Sequence, residues 1–290
     1  MFTEIRSALA EGALVPYIGP GVLALTGPHC PIPTSSQELV VRLISGASVP
    51  HKLRSNLTGA AQFIENFKHR KSVVAAMKNA FTAEVAPTAL HRFLAAQPAL
   101  PLLVHAWYDD LPQRALAHRT DWGMVQALSQ AEHYGQWTRH FRADGSPTDD
   151  LHGVANDAEV RKSGEPDSWR TLLYQPFGSV APAANFLVSD SDFVEVLTEI
   201  DIQTPIPDEV KNIRTGRHFL FMGCRFNTQL ERGFAHQISK RSSHRHWAVL
   251  PEAPTRNETR FLQQHGIERI DMPLSAFVEA LAATDRAVAA

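Results

Sequence analysis

Four short apolar runs in this 290-residue chain end in residues that could do chemistry. Leu14-Val15-Pro16-Tyr17-Ile18 runs into Gly19-Pro20-Gly21, and Leu100 to Trp107 runs through His105 into Tyr108-Asp109-Asp110. Leu172-Leu173-Tyr174-Gln175-Pro176 ends at Phe177-Gly178-Ser179, and His218 to Met222 ends at Gly223-Cys224, with Asn227 just beyond. A glycine has no Cβ, so a backbone can turn sharply there and approach a phosphate closely. A helix that follows offers unpaired amides and the positive end of its dipole to an anion. A plain strand-to-helix turn would account for the same Gly-x-Gly spacing.

His105 and Asp109 are the candidate catalytic pair, because a histidine oriented by a carboxylate can act as a base. His105 also reads as a core histidine with a backbone partner, on the same strand face as Trp107 but deeper. Cys224 reads either as a nucleophile or, more simply, as a small buried thiol. The chain has 14 histidines, including His244-Arg245-His246, but no His-x-x-x-His and no Cys-x-x-Cys. Metal ligands must converge, so no metal site is expected and surface histidines account for the count.

The elements that must position these residues alternate. Helices are expected over Thr3 to Glu11, from a Ser or Thr cap within Pro33-Thr34-Ser35-Ser36 through Leu39-Val40 and Leu43-Ile44, and without a break from Ala60 to Phe93. A helix is also expected at Arg114 to His118, and another at Asp192 to Ile200 capped by Asp190 or Ser191. After His218–Met222, a helix from Asn227 to Lys240, a strand at Trp247–Leu250, a helix from Asn257 to His265, a strand at Ile267–Met272 and a helix from Ser275 to Ala283 complete the pattern. Regular alternation of strand and helix predicts an α/β fold, a Rossmann-like doubly wound parallel sheet, with ligands at the carboxyl ends of its strands. The expected organisation is a single domain over 1–290, with a helical insertion at about 50–97 and a polar flap at about 137–167.

Composition narrows the classes. The formal net charge of −2 and the lack of a standout block of like charge give no footprint for nucleic acid. No apolar run reaches the roughly 18 residues a membrane span requires. The opening residues read as an amphipathic helix and not a signal peptide, and two distant cysteines imply no disulfide scaffold. A cytoplasmic location is therefore the expectation.

Val15-Pro16-Tyr17-Ile18-Gly19-Pro20-Gly21-Val22 resembles the opening strand and Gly-Ala-Gly loop of sirtuin-like domains. Further ordered segments are similar to those of the bacterial branch of that family. Pro33 to Leu39 matches its next segment, and Ala61-Gln62-Phe63-Ile64-Glu65 its Ala-Gln-Tyr helix. Leu102 to Leu111 looks like the strand and Thr-Asn-Tyr-Asp loop, and Leu173 to Ser179 like the Lys-Leu-His-Gly-Ser strand end. Ser189-Asp190-Ser191-Asp192-Phe193 resembles the Thr-x-x-Asp-Tyr helix start, and Phe219 to Cys224 the Leu-Phe-Leu-Gly-Tyr strand. The resemblance implies NAD or ADP-ribose as ligand. It would place cofactor contacts at Gly19, Pro20, Gly21, Val22, Gln62, Trp107, Tyr108, Asp109, Phe177, Gly178, Ser179, Gly223, Cys224 and Asn227.

The departures from the family pattern are specific. The asparagine that orients a water or ribose is Trp107 here, and an indole offers only a donor. The histidine that serves as general base is Phe177, which has no titratable group, and the lysine before it is Gln175. Losing the base alone costs roughly 10²–10⁴ in rate. Pro20 removes a backbone amide from the phosphate loop, and Leu23 stands where a serine is usual. The expected function is thus a divergent sirtuin-like protein that binds NAD, ADP-ribose or a related nucleotide without efficient NAD cleavage and works by binding or regulation. The alternatives are an active NAD hydrolase or NAD-dependent deacylase with a substituted base such as His105, and an interaction subunit whose pocket is filled. A protein partner would dock through the 137–167 flap.

Overall fold

The computed structural model describes residues 1–148, 169–199 and 205–283. In chain order, α1 (Phe2–Ala10) leads to β1 (Leu14–Ile18) and a 3-10 turn at Pro20–Thr26. Four helices follow: α2 (Ser36–Ile44), α3 (Leu57–Lys68), α4 (Arg70–Ala80) and α5 (Ala89–Ala95). Next come β2 (Leu102–His105), α6 (Leu111–Leu116), β3 (Trp122–Ala127), β4 (Thr138–Arg142) and β5 (Pro147–Thr148). The chain continues through β6 (Thr171–Gln175), the short β7 (Gly178–Ser179) and β8 (Asn185–Phe186), then α7 (Asp190–Glu199) and α8 (Asp208–Arg214). It ends with β9 (His218–Met222), α9 (Gln229–Ser239), β10 (His246–Val249), α10 (Arg256–Gln264), β11 (Ile267–Ile270) and α11 (Leu274–Ala282).

The main sheet has the order β11-β10-β9-β1-β2-β6-β3-β4-β5. It is parallel from β11 to β3 and antiparallel over β3-β4-β5. The expected doubly wound α/β sheet is therefore present. Side chains of each central strand alternate between two cores. Val15, Tyr17, Leu102, Val104, Leu172, Tyr174, Phe219 and Phe221 pack on one face under α7 to α10. Leu14, Ile18, Leu103, Leu173, Leu220 and Met222 pack on the other under α1, α5, α6 and α11. Burial on both faces explains why these strands read as continuous apolar runs. A third core joins α2, α3 and α4 to Trp107, Tyr108 and Phe186.

Several local expectations change. The helix expected from Ala60 to Phe93 is three helices, broken at His69, whose φ of 67° lies in the left-handed region, and again before the Thr88 cap of α5. The described part of the flap extends the sheet: β4 pairs antiparallel with β3, Gly123 opposite Arg142 and Ala127 opposite Thr138. The rest of the flap, 149–168, lies outside the described residues. α6 begins before Arg114, because Asp109 Oδ1 accepts the Leu111 amide at 3.0 Å. α7 begins at Asp190, and the group that holds its entry is Asp192, whose carboxylate accepts the amides of Val188 and Ser189, both at 2.9 Å. Expected end residue Ile200 lies outside the described residues.

Candidate functional site at the strand ends

The first loop is held by the protein itself. The Gly19 amide donates to Met222 O and the Gly21 amide to Gly223 O, both at 2.9 Å, while the Val22 amide closes back on Gly19 O at 3.2 Å. Pro20 has no amide hydrogen to offer. A Cβ on Gly19 would meet Gly223 O at 2.7 Å and Cys224 Sγ at 2.8 Å, and one on Gly21 would meet Gly223 O at 2.9 Å. The glycines thus allow two loops from neighbouring strands to touch. Gly223 itself has φ of 64°, and a Cβ there would lie 2.4 Å from the Val22 nitrogen.

Cys224 turns inward, its Sγ 3.4 Å from Met222 O and 3.6 Å from Tyr17 O. Burial, reinforced by the nearby Glu231 carboxylate, pushes its thiol far above the usual range. A buried, protonated thiol is not a nucleophile at neutral pH.

Carboxylates of the chain sit at the two helix starts beside this loop. Thr228 and Glu231 form a reciprocal cap on α9, with the Glu231 carboxylate accepting the Thr228 amide at 2.8 Å. Thr255 and Glu258 do the same for α10. Glu258 also takes two hydrogen bonds of 3.0 Å from Arg225 and one of 3.1 Å from the Phe226 amide. Burial would raise the Glu258 carboxyl, but Arg225 and the capping amides outweigh it and hold it at about 2. Asn227, with its amide oriented to donate, reaches the same carboxylate at 2.9 and 3.1 Å.

The second and third strand ends are occupied by aromatic rings. Trp107 donates its indole N–H to Pro33 O at 2.9 Å and lies in the helical layer beside Phe81 and Tyr108. It is 3% exposed. Tyr108 donates its hydroxyl to Leu187 O at 2.8 Å. Phe177 sits edge-on to Phe234 and Phe193, with centroids at 5.0 and 5.6 Å, and 6.2 Å from Tyr108. Gly178 has φ of 76°, and Ser179 Oγ donates toward the carbonyls of Tyr108 and Asp109 at 3.2 and 3.3 Å. Gln62 is elsewhere in use: its side-chain oxygen accepts the Ser191 amide at 2.7 Å, tying α3 to α7.

His105 and Asp109 come together, Nε2 to Oδ2 at 3.1 Å, and both are buried. Burial alone would raise the Asp109 carboxyl, but the facing His105, with help from His91 and the Leu111 amide, holds it below the usual range. The other ring nitrogen of His105 lies 3.4 Å from Gln175 Nε2. Gln175 Oε1 accepts from Gln126 at 2.7 Å and from Gln113 at 2.9 Å. His105 lies behind β2, on the α5 side with His91, while Trp107 has crossed into the helical layer, because the extended pairing ends at Ala106. The two do not share a face. The sequence reading missed Gln126, Gln113 and His91. The recurrence of glutamine at the ends of adjacent strands was the available signal.

Of the thirteen candidate binding residues other than Gln62, twelve fall into two groups. Gly19 to Val22 join Gly223 and Cys224 around loop-to-loop contacts, Trp107 to Asp109 join Phe177 to Ser179 in an aromatic and polar cluster, and Asn227 faces Glu258. As arranged, these residues do not fit a dinucleotide in the manner the resemblance implies. The first-loop amides already have acceptors, and the place of the base is a packed phenyl ring. Two surface depressions, one of about 980 Å³ lined by residues such as Ala24, Cys30 and Arg42 and one of about 240 Å³ by Phe63 and Phe67, include none of the candidate residues. Among the described residues, no three His, Cys, Asp or Glu side chains converge as a metal site, and no helix is long and apolar enough to cross a membrane.

Compared with curated proteins, the chain matches none. A family model described as "SIR2-like domain" matches residues 101–270. The match covers β2 through β11 and so includes the second, third and fourth strand ends. The glycine loop at 19–22 and the segment at 61–65 precede it. By that match, which spans more than half of its residues, the chain belongs to the SIR2-like domain family, whose function at the level of the family is nucleotide- and NAD-related.

Proposed function

We propose that this SIR2-like protein works by binding and regulation, without efficient NAD cleavage. The observation that carries the reading is the state of the two family positions: Trp107 is buried with its indole hydrogen-bonded to Pro33 O, and Phe177, half-buried, packs edge-on against Phe234 and Phe193. Neither can orient a water through an amide or accept a proton. By the resemblance, both residues take the family positions that meet the nicotinamide end of the ligand. ADP-ribose or a mononucleotide is for that reason a better candidate ligand than intact NAD. Phosphate contact at the first loop would require the Gly21 amide to exchange Gly223 O for the ligand.

Isothermal titration with NAD and with ADP-ribose, run beside a nicotinamide-release assay, tests this. The expected result is no nicotinamide release above background and, if a nucleotide binds, tighter binding of ADP-ribose than of NAD. The competing reading, an NAD hydrolase or deacylase with His105 as base, has the 3.1 Å His105–Asp109 pair in its favour. Nicotinamide release that disappears in His105→Ala would establish that reading and sink ours.

A further inference from the structure

The helical layer differs from the rest of the chain in charge. Between Leu39 and Ala83 there are seven lysines and arginines and one acid, Glu65. The whole chain carries −2, so the remainder is acidic. Glu65 is engaged by Arg70 at 3.2 Å, and Arg70 is in turn turned inward to Asp192 at 2.8 Å. Lys52, Lys71 and Lys78 are exposed and form no ion pair among the described residues. A surface of this sign attracts anionic partners and discriminates against cationic ones.

The same layer carries an apolar depression. Phe67, near the end of α3, is 72% exposed and lies against Phe63 with ring centroids 4.5 Å apart. With Ala47, Ile64 and Lys68 they line a hollow of about 240 Å³. Lys68 closes its rim, donating from Nζ to Gly46 O at 2.9 Å. Large exposed aromatics beside a concavity mark interaction sites, and a pocket that takes one bulky side chain is the form an interface anchor needs. A bilayer would call for a broad apolar face, and a nucleic acid backbone has no use for an apolar hollow. An apolar hollow rimmed by Lys68, in a layer whose charge balance is basic, is complementary to an acidic protein segment that presents one bulky apolar side chain.

We infer that the α2–α3 face is a docking site for an acidic segment of a partner protein, with one apolar side chain seated between Phe63 and Phe67 and carboxylates facing Lys68 and the other cations of this layer. Its lining includes none of the strand-end residues.

The test is to pan a phage-displayed library of random short peptides on the full chain, then resynthesise the most enriched peptide with a fluorophore and titrate it by anisotropy. The expected consensus is rich in Asp and Glu around one Leu, Ile, Phe or Trp. Phe67→Ala should weaken that peptide by about tenfold or more. Lys68→Glu should weaken it several-fold, and raised salt should do the same. Both positions are exposed, and unchanged thermal melting will show that the variants are folded. The inference is overturned if enriched peptides carry no net negative charge, or if Phe67→Ala binds as well as the parent. It is equally overturned if phosphatidylserine vesicles bind in a Phe67-dependent manner while no peptide does, or if sedimentation shows Phe67-dependent self-association.

Discussion

Replacing Gly19 by alanine adds one methyl group where two loops meet. Gly19 has φ of −114°, which alanine adopts without strain, so the whole effect is one of packing. The new Cβ would lie 2.7 Å from Gly223 O, 2.8 Å from Cys224 Sγ and 3.2 Å from Cys224 Cα. Gly223 cannot retreat freely, because its carbonyl accepts the Gly21 amide at 2.9 Å and its own conformation is left-handed. Overpacking of this kind costs about 1–3 kcal/mol, and an obstruction made of backbone places it toward the upper end. The entropy lost by the unfolded chain on replacing glycine returns about 0.4–1 kcal/mol. A net loss of about 2 kcal/mol corresponds to a fall in Tm of about 3–4 °C for a domain of this size. Gly46, with nothing within 4 Å of an added Cβ, supplies the control, and Gly46→Ala should melt within about 1–2 °C of the parent. Urea denaturation and thermal melts, each with and without ADP-ribose, measure both variants. If Gly19→Ala melts with the parent but loses nucleotide binding, the glycines serve a ligand and the loop-to-loop account is wrong.

Two further outcomes follow from buried groups. Burial holds His91 and His246 at about 4, below the usual histidine value of 6.5, and His246 accepts the Phe219 amide at 3.0 Å with its Nδ1. Their stabilisation is present above pH 6.5 and is lost as pH falls toward 4, because the unfolded chain takes up protons first; each contributes at most ~3 kcal/mol. Urea midpoints should therefore drop steeply between pH 6.5 and 4, and a His246→Gln variant should show a shallower drop; parallel slopes would refute the assignment. Cys30 is partly exposed and Cys224 is buried. An aromatic disulfide reagent should thus titrate one thiol in the native protein and two in denaturant, and rapid modification of Cys224 in the native state would contradict its burial.

The sequence displayed the sheet where both faces of a strand are covered. Leu14–Ile18 and His218–Met222 announce themselves because nearly all their side chains, Pro16 and His218 excepted, enter one of two cores. β3 was silent, since Gly123 and Gln126 interrupt its apolar run. Gly123 is there because the Trp169 ring occupies the place of its Cβ, at 2.3 Å. β4 read as polar flap because only Phe141 of its five side chains is buried. The helical stretch read as continuous because His69 gives no sign of a left-handed residue, which glycine normally signals. At the strand ends, the replacements Trp107 and Phe177 were visible as residue types. That the Gly21 amide already has an acceptor was not visible, because Gly223 lies far away in the chain.

The strand order has a consequence for the nascent chain. β1 is made early, but one of its neighbours, β9, emerges only when residues 218–222 have been synthesised. β2 and β3 are likewise kept apart in the sheet by β6, which is translated after both. Until then, three interior strands, β1, β2 and β3, expose edges that in the finished molecule are paired. Such edges invite pairing with other chains, and late closure by distant segments slows folding. A chain halted on the ribosome short of β6 would hold its apolar strands without their partners, so a chaperone that shields strand edges during translation should raise its yield more than one that acts after release.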